Sequence, residues 1–162
     1  MIRQAETRDI EAIASIYNHY IANSVISFEE KPVSVNEMAS RLERVQELGY
    51  PWLVAENKQE VIGYAYASLW HTRSAYKHTA EVTVYLSPQH TGLGWGRKLH
   101  EALFAELCEL DVHVMIAAIA QPNPASVALH EKLGFKKVAQ FEEVGYKFGR
   151  WIDVGYWQYL LP

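Results

Sequence analysis

The sequence predicts a mixed α/β domain in which a meander of three strands leads into a glycine-rich loop and a long helix. Alternating or continuous apolar runs indicate seven strands, and apolar residues at helical spacing indicate four helices. The predicted order is β-α-α-β-β-β-α-β-α-β-β. With 162 residues, of which 49% are hydrophobic and 21% charged, we expect one globular domain spanning residues 1–162.

The first part of the chain predicts one strand and two helices. Residues 2–6 form the expected first strand, and Thr7 is a residue type that favours a helix N-cap. Ser34 begins a capping-box pattern, which predicts a second helix that ends near residue 48, before Gly49.

The middle of the chain predicts the three-strand meander and the long helix. The strands are expected at residues 52–56, 61–69 and 79–86, and a polar turn joins the first two. A row of leucines at helical spacing predicts an amphipathic helix over residues 97–110.

The last part of the chain predicts a buried strand, a helix and two final strands. The apolar run at residues 112–120 is typical of a central strand. Asn123 followed by Pro124 predicts a helix N-terminus, and Gly134 predicts its end. The two final strands are expected at residues 136–141 and 147–160.

The loop between the meander and the long helix has three alternating glycines, Gly92, Gly94 and Gly96. Glycine lets a ligand approach the backbone closely, and the first amides of a helix have no partner within the helix. This pattern predicts a phosphate-binding loop. A tight turn without a ligand is the alternative.

Two common phosphate-binding loops do not fit. A Walker A loop needs Lys and then Ser or Thr after its last glycine, whereas Gly96 is followed by Arg97, Lys98 and Leu99. A dinucleotide-binding fingerprint needs its third glycine where this chain has Arg97 or Leu99. The phosphate ligand therefore belongs to another class.

Composition argues against several partners. The net charge is −4 and the basic residues are scattered, which argues against nucleic acid as the main partner. No apolar run is long enough to cross a membrane and no secretion signal opens the chain, so we expect a cytoplasmic protein with no membrane partner. We also expect no metal ion, because the histidines lack metal-ligand spacing and Gly134 occupies the second histidine position of a zinc-protease motif starting at His130.

Several segments resemble one known family. The pattern Gln89-x-x-Gly92-x-Gly94 is similar to the Q/R-x-x-G-x-G/A signature of the GCN5-related N-acetyltransferases (GNAT). Five further segments resemble the phosphinothricin and methionine sulfoximine acetyltransferase branch: residues 16–18, 28–29, 81–85, 128–135 and 144–154. The resemblance implies the GNAT fold, a central, mostly antiparallel twisted sheet of about seven strands flanked by four helices.

The resemblance also implies acetyl-CoA as co-substrate. In the family a strand end pairs with the pantetheine arm, loop amides hold the pyrophosphate, and the start of a later helix lies near the acetyl group. The matching residues here are Val84, Tyr85, Leu86, Gly92, Leu93, Gly94, Trp95, Gly96, Arg97, Asn123 and Ser126. A simple capping role is the alternative for Asn123, and both roles are compatible.

Direct attack of an amine on the thioester needs a base, an oxyanion donor and an acid. The resemblance makes Glu81 the candidate base, acting through water, and His130 the candidate acid, since an imidazole titrates near neutral pH. The Leu86 N–H is the candidate oxyanion donor. A solvated carboxylate and a locally bonded histidine are the alternatives for the two side chains.

The family branch implies a small amino-acid analogue as the acceptor amine. Arg73 offers a bidentate fork for its carboxylate, and Tyr76 offers a hydroxyl three residues later. Phe28 and Glu29 lie in the loop that covers the acceptor site in this superfamily. Ordinary surface or core roles are the alternatives for these residues.

Two other functions remain open at this point. One is acetylation of peptide or protein N-termini or of polyamines, and the other is acyl-CoA binding without turnover. The resemblance also suggests a homodimer, with the aromatic C-terminal segment around Trp151 and Trp157 as a candidate interface. A well-packed terminal strand is the alternative explanation of those aromatic residues.

Overall fold

The computed structural model describes all 162 residues as one seven-stranded sheet with four α-helices. The strands are β1 Ile2–Gln4, β2 Trp52–Asn57, β3 Glu60–Leu69, β4 Thr79–Leu86, β5 Val114–Ala120, β6 Lys136–Lys147 and β7 Arg150–Leu160. The helices are α1 Ile10–Asn23, α2 Val35–Glu47, α3 Trp95–Cys108 and α4 Pro124–Lys132. The sheet order is β1-β2-β3-β4-β5-β7-β6, and only the β4–β5 pair is parallel. This confirms the predicted mixed fold. No helix has both the length and the apolar character that a bilayer span requires.

Helices α1 and α2 pack on one face of the sheet through a cluster of buried apolar residues. The start of α2 is as predicted, because the Ser34 hydroxyl oxygen accepts a hydrogen bond from the Glu37 N–H at 3.0 Å. The prediction that Thr7 caps α1 is wrong. Residues Thr7–Asp9 form a 3-10 turn, in which the Asp9 carboxylate accepts from the Glu6 N–H at 2.8 Å, and α1 follows it.

Helix α3 packs on the opposite face through Leu99, Leu103 and Leu107, all fully buried. Removing one such leucine typically lowers the free energy of unfolding by about 2–5 kcal/mol. The helix begins at Trp95, two residues earlier than predicted, because Gly94 adopts a left-handed backbone (φ 84°) immediately before it.

The final hairpin differs from its prediction. Strand β6 continues to Lys147 instead of ending at residue 141, and β7 starts at Arg150. Phe148 and Gly149, with φ values of 53° and 72°, form the two-residue turn between them. The pairing is irregular between Phe141 and Gly145, and side chains along β6 are mostly exposed, so its alternation was hard to recognise.

A fork opens inside the sheet between β4 and β5. These strands pair only through Thr79–Glu81 and Val114–Ile116, although both continue beyond the paired residues. The other edge of β5 pairs with β7 along its whole length, and beyond Glu81 no strand pairs with the β5-facing side of β4. The fork therefore leaves a stretch of β4 without a strand partner on one side, directly before the glycine loop, where the Leu86 carbonyl oxygen accepts from the Tyr20 hydroxyl.

Candidate active site

Two cavities of about 240 Å³ and 480 Å³ meet at the fork. They share the lining residues Ile26, Val84, Tyr85, Asn123, Ser126 and His130, so they form one chamber with two arms. The larger cavity, called the loop arm below, also reaches Gly92, Gly94 and Arg97. The smaller, called the strand arm, also reaches Glu81, Thr83 and Phe28.

A third cavity, of about 430 Å³, lies between α2 and the sheet. Its lining includes Met38, Trp52 and Tyr64 but none of the predicted site residues. The chemistry suggested by the sequence therefore belongs to the two-armed chamber.

The loop arm ends at an open row of backbone amides. Gly92 and Gly94 are left-handed, with φ values of 74° and 84°, and a Cβ on either would meet no atom within 4 Å. Because α3 begins at Trp95, the N–H groups of Trp95, Gly96 and Arg97 lie in its first turn and have no intrahelical partner. Unpaired amides and the positive end of the helix dipole suit a phosphate group.

The end of β4 offers further backbone donors to the chamber. The Ser87 N–H donates to the Ile62 carbonyl oxygen on β3 at 2.8 Å. Hydrogen-bonded and non-hydrogen-bonded pairs alternate along an antiparallel ladder. The Tyr85 backbone therefore pairs with β3, whereas the N–H groups of Val84 and Leu86 point toward the fork. An extended ligand arm can bond to them as an added strand.

Glu81 lies at the point where the strands separate. It is the last β4 residue paired with β5, and its side chain lines the strand arm. Burial raises the pKa of its carboxyl above the usual value for a glutamate. A carboxylate with a raised pKa in a cleft is suited to accept a proton near neutral pH.

His130 lies on α4 and lines both arms, with 7% of its surface exposed. Its Nδ1 is 2.7 Å from the Ser126 carbonyl oxygen and 3.3 Å from the Ser126 hydroxyl. Burial lowers the pKa of the imidazole. The Asn123 side-chain oxygen accepts from the Ser126 N–H at 3.2 Å, as the predicted helix cap requires.

The two acceptor-site candidates in the α1–α2 connection have different surroundings. The Phe28 ring lines the strand arm and lies against Gly145, where a Cβ would be 2.5 Å from it. The Glu29 carboxylate is partly exposed and is held by the Arg41 guanidinium at 2.8 and 2.6 Å and by the Tyr17 hydroxyl. The hydrogen bonds from Arg41 are the main cause that lowers the pKa of Glu29.

Besides Glu29, four predicted residues have side chains outside the chamber lining. Arg73 and Tyr76 lie in the exposed connection between β3 and β4. Leu93 is exposed at the tip of the glycine loop, and the Trp95 ring lies 4.7 Å from the Lys98 Nζ. The other predicted residues, apart from Glu29, line one or both arms.

Sequence reasoning missed several chamber residues, including three discussed here, and one buried lysine. Tyr20, Ile26 and His100 line the loop arm. Among them, only His100 carried a usable signal, because it is a polar residue beside the leucine face of a predicted amphipathic helix. Lys147 is buried, and its Nζ donates to the carbonyl oxygens of Ser24 and Ser27 at 2.8 and 2.7 Å. No pattern around Lys147 distinguishes it from a surface lysine.

Comparison with known proteins identifies the family. The acetyltransferase (GNAT) domain model matches residues 2–155. Phosphinothricin N-acetyltransferase of Streptomyces viridochromogenes is 43% identical over 97% of this chain and 85% of its own length. The L-methionine sulfoximine/L-methionine sulfone acetyltransferase of Salmonella typhimurium is 40% identical over 97% of this chain and 92% of its own length.

A solved structure has the same fold. The phosphinothricin acetyltransferase of Sinorhizobium meliloti in complex with acetyl-CoA superposes with a TM-score of 0.97 at 39% identity, over 99% of this chain and 88% of that one. The match extends the predicted family resemblance to the whole chain. On sequence and structure together, this chain belongs to the GNAT family of acetyltransferases.

Proposed function

We propose that this enzyme transfers the acetyl group of acetyl-CoA to the primary amine of a free amino-acid analogue of the phosphinothricin or methionine sulfoximine type. The observation that supports this proposal most directly is the single chamber, in which one arm ends at unpaired amides and the other at the half-buried carboxylate of Glu81. The names of its relatives and the acetyl-CoA complex of one of them support the same reaction.

Acetyl-CoA is expected to bind along the loop arm. The amides of Gly92, Leu93, Gly94 and the first turn of α3, from Trp95 to Arg97, take the pyrophosphate. The free N–H group of Val84 holds the pantetheine arm, beside the Tyr85 ring, and that of Leu86 is left for the thioester carbonyl oxygen. Asn123 and Ser126 then lie near the thioester, where the two arms meet.

The acceptor amine enters through the strand arm. Glu81 removes a proton from the ammonium through a water molecule, and the amine nitrogen attacks the acetyl carbon. The Leu86 N–H donates to the carbonyl oxygen as negative charge develops on it. Such a donor typically contributes about 10²–10³-fold to the rate. The carbon–sulfur bond breaks, and His130 supplies a proton to the departing thiolate.

Recognition of the acceptor involves the surrounding loops. Phe28 supplies an apolar wall, and the Arg41–Glu29 pair anchors the segment that carries it. Arg73 takes part in none of the seven ion pairs and is free to bind the carboxylate of the acceptor, with Tyr76 beside it. The connection that holds them contacts β7, since the rings of Trp70 and Tyr156 are 5.7 Å apart.

A CoA-release assay tests both the acetyl transfer and the acceptor class. Purified protein is incubated with acetyl-CoA and a thiol reagent, and CoA release is measured with phosphinothricin, methionine sulfoximine, spermidine or an alanine-terminated peptide as acceptor. We expect release above the acceptor-free blank only with the first two. Release with the peptide or spermidine alone would contradict the proposed acceptor class but not the acetyl transfer itself.

We further propose a homodimer formed through the β6–β7 hairpin. The hairpin exposes a row of large apolar side chains: Phe141, Val144, Tyr146, Phe148 and Trp151. Such a patch is typical of protein–protein interfaces. Trp157, the other aromatic candidate, is buried in the core and is explained by packing.

Light scattering tests this dimer. Trp151 is 64% exposed, so Trp151→Glu should leave the fold intact and yield a monomer. Leu48→Glu, an exposed apolar position beyond the end of α2, is the matched control and should remain dimeric. A monomeric parent protein would contradict the proposal.

We also infer one domain in a cytoplasmic location. The family match from residue 2 to residue 155 supports the single domain. Cys108 is an exposed free thiol, which is compatible with a reducing compartment.

A further inference from the structure

Two buried histidines meet beside the chamber. The Nε2 atoms of His100 on α3 and His130 on α4 are 3.0 Å apart, and the two side chains are 1% and 7% exposed. The rings of Phe104 and Phe135 flank them. No ion pair involves either imidazole, and no third ligand joins them in a metal-binding group. Apart from the side that lines the chamber and the Ser126 hydroxyl, the pair is surrounded by apolar rings and main-chain carbonyls.

Both outer nitrogens of the pair face backbone carbonyl oxygens. The His100 Nδ1 is 3.1 Å from the Gly96 carbonyl oxygen, and the His130 Nδ1 is 2.7 Å from that of Ser126. A carbonyl oxygen only accepts hydrogen bonds, so each Nδ1 must carry a proton to bond it.

The inner contact then lacks a proton. A neutral imidazole has one N–H, so two neutral rings with protonated Nδ1 atoms leave two bare Nε2 lone pairs facing each other at 3.0 Å. One additional proton between the Nε2 atoms satisfies all three contacts. Two neutral imidazoles supply only two protons and leave one of the three contacts without a hydrogen bond.

We propose that His100 is a positioning residue that shares one proton with His130, so that the two imidazoles act as a single acid for the departing CoA thiolate. This role rests on the acetyl transfer proposed above. It also gives a reason for placing a histidine on the buried face of α3, where the neighbouring positions are leucines.

Two physical effects act on the shared proton in opposite directions. Burial lowers the pKa of both imidazoles, that of His100 to about 3, because charge is costly among apolar rings. The unmatched Nε2 contact favours the proton, since each ring accepts a hydrogen bond from the protonated form of the other. The electrostatic effect of His130 also lowers the pKa of His100, so the Nε2–Nε2 hydrogen bond must offset both this effect and burial.

Proton transfer to the thiolate passes through the Ser126 hydroxyl. The Ser126 hydroxyl gives its proton to the sulfur that leaves when the carbon–sulfur bond breaks, and it takes the proton from the His130 Nδ1, 3.3 Å away. The shared proton then remains on the His130 Nε2, bonded to the His100 Nε2. The pair passes from three protons to two, and the thiolate becomes a thiol. The proton that Glu81 takes from the amine returns to the pair through solvent.

The test compares His100→Leu and His100→Gln with the parent enzyme between about pH 6 and pH 9. In His100→Leu, we expect kcat at pH 8 to fall about 10–100-fold, within the range of a lost acid, with the KM for acetyl-CoA changed less than about 3-fold. The pH at which kcat begins to fall should move down by about one unit, because His130 loses the acceptor for its Nε2 proton. His100→Gln keeps an acceptor there and should recover most of kcat.

The matched control is His113→Leu. His113 is an exposed histidine immediately before β5, and this variant should behave like the parent. An unchanged pH profile in His100→Leu, with kcat within about 2-fold of the parent, would overturn the proposal. The outcome differs from failure of the proposed function, in which the parent itself releases no CoA.

A second measurement needs no variant and no turnover. In nitrogen-15 NMR of the parent protein with CoA bound, at the pH of maximal kcat, the two imidazoles should show three nitrogen-bound protons. Two protons would overturn the shared-proton assignment even if the variants fail to fold.

Discussion

The two arms of the chamber are built from different parts of the polypeptide. The loop arm presents main-chain N–H groups from the glycine loop, the start of α3 and the fork side of β4. The strand arm presents side chains from separate elements, among them Glu81, Phe28 and His130. Main-chain donors keep their geometry when side chains change, so the loop arm suits a constant ligand. The strand arm can adapt to a new acceptor through few substitutions.

Glu81→Gln should have the largest effect and should act on the strand arm alone. Loss of the base is expected to lower kcat by about 10²–10⁴-fold. The dissociation constant of acetyl-CoA, measured by calorimetry, should stay within about 2-fold, because Glu81 lines only the strand arm. Glu106→Gln, an exposed carboxylate on α3, is the control. Parent-like turnover would remove Glu81 from the mechanism.

The pH dependence of kcat in the parent enzyme also tests whether Glu81 is the base. The base works only when deprotonated, and burial raises the pKa of Glu81. The acidic limb of kcat should therefore lie at higher pH than for a solvent-exposed glutamate, and it should disappear in Glu81→Gln. Persistence of that limb in the variant would assign it to another group.

Gly94→Trp should disable the loop arm alone. An indole at this position projects into the space above the loop, and we expect acetyl-CoA to bind about 100-fold more weakly, as when about 3 kcal/mol of binding free energy is lost. Gly49→Trp is a close control, since Gly49 has φ 81° and equally open surroundings but lies at the end of α2. Both variants carry a similar backbone strain, roughly 1 kcal/mol. Equal affinities in the two variants would contradict the loop assignment.

Lys147→Met should weaken the strand arm without touching its chemistry. The lysine holds the carbonyls of Ser24 and Ser27, next to Phe28, and its removal leaves them unpaired. We expect the KM for the acceptor to rise about 10-fold and acetyl-CoA affinity to change little, since each lost charged hydrogen bond is worth about 1.5–3 kcal/mol. Lys136→Met, an exposed lysine at the start of β6, serves as the control. An equal rise in the KM values for the acceptor and for acetyl-CoA would indicate a general defect in folding.

The smallest effect concerns stability. The folded-state pKa of Glu81 is raised, so its charged form destabilises the fold above that pKa, and the penalty vanishes as pH falls below the unfolded-state value. Glu81→Gln should therefore raise Tm at pH 8 by roughly 1–4 °C and leave it unchanged near pH 3.5. A lower Tm at pH 8 would show that the carboxylate has a structural partner.

The difference between the arms also explains what the sequence could predict. Glycines at alternate positions before a helix encode a backbone shape, so the phosphate-binding loop of the loop arm could be predicted from residues 89–96. Asn123 and Ser34 predicted helix starts because their side chains can cap a helix, and the structure confirms both capping hydrogen bonds. The meander could be predicted because its strands have alternating apolar and polar residues or are apolar throughout.

The strand arm and its supports depend on contacts between distant residues. His100 meets His130 across 30 positions, and Lys147 reaches Ser24 across 123. No local pattern encodes such contacts. The Glu29 carboxylate illustrates the same limit, because its pairing with Arg41 follows from how α1 and α2 pack rather than from its own neighbours. Side chains that bind the acceptor are therefore harder to assign than main chain that binds the co-substrate.

The fork gives this protein a sheet edge in its interior, where most sheets have none. Exposed edges recruit further strands, and here the pantetheine arm can fill the place of one. The Val84 and Leu86 amides should accordingly exchange hydrogen with solvent faster in the free protein than with ligand bound. A free acetyl-CoA concentration one hundred times the dissociation constant adds about 2.7 kcal/mol to the free energy of unfolding. Cellular acetyl-CoA would then govern how long each molecule resists heat and proteolysis, in addition to how fast it works.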